Sequence, residues 1–361
     1  MAVDDSSVSL RLRWPAEWEP HRATLLAWPT CRETWPGLFE SIPRAFARLV
    51  LTIAECEPVI LLASDDAARR QIDQLVGSRD RVSVLPVPVD DAWIRDYGPL
   101  GVWSGDRLRL VDFRFDAWGE KYPPWDRDDA ATSILGRQLR LPVDSVDAVL
   151  EGGAIEGNGA GLLVATVHSV AARRTSGSLE QRLVIYERLL QRHLGVERFC
   201  WLHHGRLAGD DTDGHIDQLA RFVSADRMVV ACSRDPTDAN YGELKELKRE
   251  LARAVSRTGD AGSGKVDLVD LPIPRNVTFR GHRLPASYCN FLFVDGALIV
   301  PAFADRHDEQ AVGILRELLP DRTIVPVPCR ELVWGLGAVH CLTQTLPGRR
   351  EPPIERPPST R

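Results

Sequence analysis

The sequence holds seven cysteines but no CxxC pair; they stand singly at 31, 56, 200, 232, 289, 329 and 341. Odd in number and scattered, they fit neither a disulfide framework nor a structural zinc site. No apolar run is long enough to span a bilayer. The first residues, MAVDDSSVSL, show neither the charged start nor the apolar core of a secretory signal, so none is expected. Excess positive charge is missing too. The 361 residues carry a formal net charge of −6. That balance argues against nucleic acid or an anionic membrane as partner and weakly favours a small cationic substrate. The absences leave a soluble cytoplasmic α/β protein with ample length for a large core. No linker divides it, so one domain is expected over 1–347, followed by a disordered Pro- and Arg-rich tail over 348–361.

What is present is a regular alternation. Strand-like runs include ATLLAWP, PVILLA, VSVLPVPV, RLRLVDFRF, GLLVATV, RMVVACS, VDLVDLPI, NFLFVDGALIVPAF and RTIVPVPC. Between them lie helix-like runs with apolar residues at three- and four-residue steps, among them SIPRAFARLVLTIAE, LEQRLVIYERLLQRHLG and ANYGELKELKRELARAVSR. Ser64-Asp65-Asp66 and Asp305 to Asp308 supply helix starts. Strand pairs and helices recur roughly every sixty to eighty residues, which reads as several ββαβ-like modules. Gly157-Asn158-Gly159 reads as a hairpin turn rather than a phosphate loop, since no helix or Lys follows. SRTGDAGSGKVD, 256–267, reads as a flexible surface loop.

Four stretches combine acids, Cys or His with glycine beside apolar runs: DDAWIRDYGPL (90–100), LEGGAIEGNG (150–159), GDDTDGHIDQLARFV (209–223) and WGLGAVHCLTQTLP (334–347). An extended GHIDQ would turn His215 and Asp217 to one side together. Asp96 sits between Arg95 and a Gly-Pro turn, where a plain surface ion pair is an equal reading. Glu151 precedes two glycines that allow close approach of backbone or ligand. Cys341 alone reads as a buried thiol in a last strand, with His340 pointing away from it. The set changes that balance. A thiol among carboxylates is not activated by them; a cationic substrate would do it, and a guanidinium matches carboxylates in two-point hydrogen bonds.

Taken together with PAEWEPHRATLLAWP (15–29), FDAWGEKYPPWDRDDA (115–130) and ASYCNFLFVDGALIVPAF (286–303), these stretches resemble the agmatine deiminase family and the bacterial-type peptidyl-arginine deiminases. The resemblance implies the pentein fold, a five-bladed α/β propeller of pseudo-fivefold ββαβ modules. It implies Cys341 as nucleophile, His215 as general acid/base and Glu151 as the partner that hydrogen-bonds and orients His215. Asp96 and Asp217 would hold the guanidinium, Asp211 would face the substrate's distal amine, and Trp93 would wall the pocket. No metal or organic cofactor is implied; the partner is a small guanidino substrate, and a homo-oligomer stays open. The implied reaction hydrolyses agmatine to N-carbamoylputrescine and ammonia through a covalent thiouronium. Peptidyl-arginine, arginine or another guanidino compound remain alternative substrates. One departure stands out: where agmatine deiminases usually carry an Asn- and Arg-rich stretch of the type CLLNxNRNP, this chain reads VHSVAARRTSG (167–177), and much of that loop's chemistry is expected to be missing. Two other readings compete, a metal-dependent hydrolase using His203, His204, His215 and Asp217, and a silent relative that only binds a guanidino ligand.

Overall fold

The parallel strand Val59–Ala63 is buried at every position, so it reads in sequence as an unbroken apolar run. The computed structural model describes residues 11–173, 176–257 and 265–348. Most of the loop expected at 256–267, and all but the first residue of the tail expected at 348–361, lie outside the described residues.

Among the described residues there are six sheets, and five of them share one plan. Each begins with an antiparallel strand pair, continues through a helix, and adds a strand parallel to the second of the pair. Leu100–Ser104 and Arg107–Arg114 pair, helix Asp126–Leu139 follows, and Val143–Val149 returns parallel. Ile155–Gly157 and Leu162–Thr166 pair, with helix Leu179–Leu194 and strand Arg198–Leu202. Ala220–Ser224 and Arg227–Cys232 lead through Tyr241–Arg257 to Asp267–Pro272. Leu292–Val294 and Ala297–Ala302 lead through Asp308–Leu318 to Thr323–Pro328. In the fifth the antiparallel pair joins the two ends of the described chain. Gln344–Pro347 pairs with His21–Ala27, which continues through helix Ile42–Cys56 to Val59–Ala63 and onward to Val82–Pro86. The ββαβ rhythm read from the sequence is therefore present five times.

The helices pack by their apolar stripes: Ile42, Phe46, Leu49, Val50 and Ile53 are fully buried against the sheet of residues 21–27 and 59–63. Asp65 caps its helix as expected, accepting from the Ala68 amide at 2.7 Å. Asn158 builds the expected hairpin turn by accepting from the amides of Ala160 and Leu162 at 2.9 and 3.0 Å. Among the described residues no helix is long and apolar enough to cross a membrane.

Candidate active site

The connection that leads into the first strand of each of the five sheets carries one or more of the polar residues gathered here. Asp96 lies on the short helix Ile94–Tyr97, before Leu100. Glu151 precedes the helical turn Gly152–Ala154, before Ile155. His215 and Asp217 lie at the turn Ile216–Gln218, before Ala220. Asn290 precedes Leu292, and Cys341 lies in a turn before Gln344. Chain segments far apart in sequence are thus brought to one place by repetition of one plan.

Gly153 is the common neighbour. A Cβ there would stand 2.7 Å from Asp96 Oδ1, 2.8 Å from His215 Nδ1 and 3.1 Å from Asp217 Oδ2. Its amide donates to Asp96 Oδ1 at 2.9 Å, and the Trp118 indole donates to Asp96 Oδ2 at 3.0 Å, so that carboxylate is pinned on both oxygens. His215 Nδ1 lies 3.7 Å from Asp96 Oδ1 and its Nε2 lies 3.8 Å from Glu151 Oε2. The second distance is an ion-pair separation, too long for the hydrogen bond expected of Glu151. Glu151 instead accepts from the Arg173 guanidinium, which also binds Asp213 at 2.8 Å and the Thr212 carbonyl. Cys341 Sγ is 3.5 Å from Asp217 Oδ2 and accepts from Asn290 Nδ2 at 3.1 Å.

Among the described residues, the buried side-chain nitrogen and oxygen atoms left without a hydrogen-bond partner are His215 Nε2 and Asp217 Oδ1. A buried polar atom without a partner costs about 1–3 kcal/mol, so it calls for an explanation. Both belong to this cluster.

The electrostatics follow from burial among acids. Burial pushes the Cys341 thiol well above the usual range, and the Asp217 and Asp96 carboxylates add to the push. For His215 burial works downward, but Asp96, Glu151 and Asp217 outweigh it and hold the imidazole near 9. Burial also raises Asp96 to about 6, with His215 acting the other way. Asp217 is lowered: burial would raise it, yet the hydrogen bond from His340 and the positive groups nearby prevail. The resting state that this describes is a neutral thiol beside an imidazolium.

A cavity of 720 Å³ opens onto Cys341 and Asp96, walled by Trp93, Trp118 and Tyr122. Trp93 thus lines the cavity that holds Cys341 and Asp96. Its ring lies against Gly335 and Gly337: a Cβ on Gly337 would meet Trp93 at 2.4 Å and the Cys341 Cβ at 2.9 Å. The glycines of WGLG make room for that wall. Asp211 lines the same cavity and accepts from the Tyr122 hydroxyl.

Several expectations change. Cys341 lies in a turn rather than a strand, because the last strand begins only at Gln344. His340 does not point away; its Nδ1 lies 2.8 Å from Asp217 Oδ2. His215 and Asp217 reach the cluster from a helical turn, not an extended segment. Arg95 is buried and pairs with Glu17 at 2.9 Å instead of forming a surface pair with Asp96. The stretch 167–177 is not empty of chemistry, since Arg173 reaches the site from it. Asn290, Arg173 and Glu17 carry no local mark in the sequence, because the partners of each are remote from it along the chain. His203 and His204 are tied to Glu250 and Glu243 at 2.7 and 3.4 Å, on separate turns of helix Tyr241–Arg257. Among the described residues no three or more His, Cys, Asp or Glu side chains are arranged so that they could hold a metal ion.

The family model of the Porphyromonas-type peptidyl-arginine deiminases matches residues 13–347. The chain belongs to that family. Deiminase-family relatives include the agmatine deiminase of Stutzerimonas stutzeri (strain A1501), 36% identical over 356 residues, covering 92% of this chain and 95% of that one. Among solved structures, a Cys-to-Ser form of the C. jejuni agmatine deiminase with substrate bound superposes with a TM-score of 0.84 at 30% identity, covering 94% of this chain and 97% of that one. The agmatine deiminase of Enterococcus faecalis gives a TM-score of 0.83 at 26% identity, covering 94% and 96%. The mixed α/β fold of this deiminase-family chain is thus that of the agmatine deiminase structures.

Proposed function

We propose that this protein is a cysteine-dependent deiminase that hydrolyses agmatine to N-carbamoylputrescine and ammonia. The observation that carries the reading is the bare, buried Asp217 Oδ1 beside a pinned Asp96 and an unactivated thiol. A guanidinium would satisfy all three. Its N–H groups fill the empty acceptor, its plane matches two carboxylates, and its charge offsets the acids that hold Cys341 protonated. The 36%-identical S. stutzeri relative, itself an agmatine deiminase, supports the choice of substrate.

The steps follow from the resting state. Asp96 and Asp217 fix the guanidinium and lower the entropic cost of attack. The Cys341 proton leaves to solvent as the cation enters, and the thiolate adds to the central carbon. His215, an imidazolium stabilised by Asp96 and by the Glu151 ion pair, protonates the departing nitrogen. Ammonia leaves, and a thiouronium joins Cys341 to the substrate. The neutral His215 then takes a proton from water, hydroxide adds, and the C–S bond breaks to release the ureido product. Asp211 with Tyr122 receives the distal ammonium, and Trp93 covers the guanidinium. The five sheets close around a common pseudo-fivefold axis as a pentein propeller. This is supported by the five connections that converge at the site and by the pairing of residues 344–347 with 21–27.

The test is ammonia release from agmatine, arginine and a peptidyl-arginine, for wild type and Cys341→Ala. Release from agmatine by the wild type alone is expected. No release from any guanidine, or an active Cys341→Ala, would overturn the assignment.

A further inference from the structure

His340 stands between two carboxylates. Its Nδ1 is 2.8 Å from Asp217 Oδ2 and its Nε2 is 2.9 Å from Glu17 Oε1. Glu17 is saturated: Oε1 also accepts from Arg95 Nη2 at 2.9 Å, while Oε2 accepts from Arg221 Nη2 at 2.7 Å and the Phe293 amide at 3.1 Å. It is a fixed post in a buried layer under the site. Asp217 is different. Its Oδ2 takes His340, Asn290 at 3.2 Å and the Cys341 thiol at 3.5 Å, whereas its Oδ1 has no hydrogen-bond partner. A carboxylate held on one oxygen can present the other only as long as that hold lasts.

We propose that His340 is a positioning residue, anchored on Glu17, that grips one oxygen of Asp217 so that the other stays presented to the guanidinium. The inference rests on the functional reading above. Two carboxylates facing one imidazole call for two N–H donors, which the imidazolium supplies. Burial, together with Arg221 and Arg95, makes that second proton easier to lose than from an ordinary histidine. The neutral ring keeps its proton on Nδ1, because the Glu17 carboxylate has three other donors, two of them guanidinium groups, whereas the Asp217 carboxylate has only the neutral Asn290 amide and Cys341 thiol. The grip on Asp217 therefore survives in either state, and the bond to Glu17 is the one that can be given up.

Asparagine and glutamine separate the two contacts. Counted in bonds from Cα, Asn Nδ2 lies where His Nδ1 lies, and Gln Nε2 lies where His Nε2 lies. His340→Asn keeps the donor to Asp217 and loses the one to Glu17; His340→Gln does the reverse. With agmatine, KM should stay within about threefold of wild type in His340→Asn and rise about 10- to 100-fold in His340→Gln, the range of a lost charged hydrogen bond. The value of kcat should change less, with similar melting temperatures for the two variants. Equal KM values in the two folded variants, or a larger defect in His340→Asn, would overturn the proposal. If wild type turns over no guanidine, it is the functional reading that has failed. The inference is then decided by crystal structures of the two variants: Asp217 keeps its rotamer in His340→Asn and turns in His340→Gln, and the absence of that difference refutes it.

Discussion

Gly153→Ala puts one methyl group into the centre of the proposed site and nothing elsewhere. The new carbon would meet Asp96 Oδ1 at 2.7 Å, His215 Nδ1 at 2.8 Å and Asp217 Oδ2 at 3.1 Å. Non-bonded heavy atoms attract best at about 3.5 Å, so the first two must withdraw by roughly 0.7 Å if the backbone stays put. Each is held where it is. Asp96 is held by the Gly153 amide and Trp118, Asp217 by His340 and Asn290, and the His215 side chain is 1% exposed. Overpacking of this kind costs about 1–3 kcal/mol of stability, which a folded protein of this size survives. The chemical penalty is larger, since misplacing reacting groups by up to 1 Å costs about 100-fold in rate. Ammonia release from agmatine should therefore fall by about 100-fold or more in kcat/KM, with a melting temperature lowered by only a few degrees. Gly313→Ala is the control, because that helical position has open space around its Cβ; activity should be unchanged and stability should rise by about 0.5–1 kcal/mol. A folded Gly153→Ala protein with kcat/KM within threefold of wild type would refute the idea that these atoms must stay where they are.

Three further outcomes are expected. Asp211→Asn should raise KM for agmatine about tenfold and leave turnover of methylguanidine, which has no distal amine, unchanged; equal effects on both would remove Asp211 from the amine's binding site. Cys341 should react faster with 2-chloroacetamidine than with iodoacetamide at neutral pH, because only the amidine brings the charge that releases the thiol proton; mass spectrometry of the labelled peptide at successive times settles it. Glu151→Gln should shift the alkaline limb of kcat/KM. In the proposed mechanism His215 acts as an acid, so activity is lost as pH rises through its value near 9, and removing one of the anions that raise it should move the limb down by about one unit. A limb that stays in place would mean that another group sets it.

The parts of this protein that were legible in sequence are those with local signals. Apolar runs such as PVILLA and the three- and four-residue spacing of Ile42, Phe46, Leu49 and Ile53 mark buried strands and helix faces whatever the fold around them. Strand Val143–Val149 was not legible: in VDSVDAV the polar Asp144, Ser145 and Asp147 break up the apolar residues with no two-residue period, at a sheet edge. Among residues of the candidate site, Glu151 and His215 stand out beside glycine, and Asp96 and Asp217 stand out in short stretches that mix acids with glycine. His340 was misjudged because its direction was inferred from strand geometry that begins only four residues later. Arg173 was hidden by a loop that departs from the resembled pattern, although its guanidinium reaches Glu151. What sequence spacing cannot show is which remote partners a polar side chain will find.

The arrangement also bears on how such a site chooses its substrate. Apolar burial and two carboxylates both suppress the Cys341 thiolate, which looks like poor design for a nucleophile. It is coherent if the substrate supplies the missing charge. A neutral amide or urea of the same shape would leave the Asp96 and Asp217 charges uncompensated and the thiol protonated, so it would fail in binding and in activation together. The same logic applies to the product: the ureido group is neutral, and with its release the acids again hold the thiol protonated. In the proposed mechanism the charge of the guanidinium is both the recognition element and the trigger. The architecture has only to hold the carboxylates still until that charge arrives.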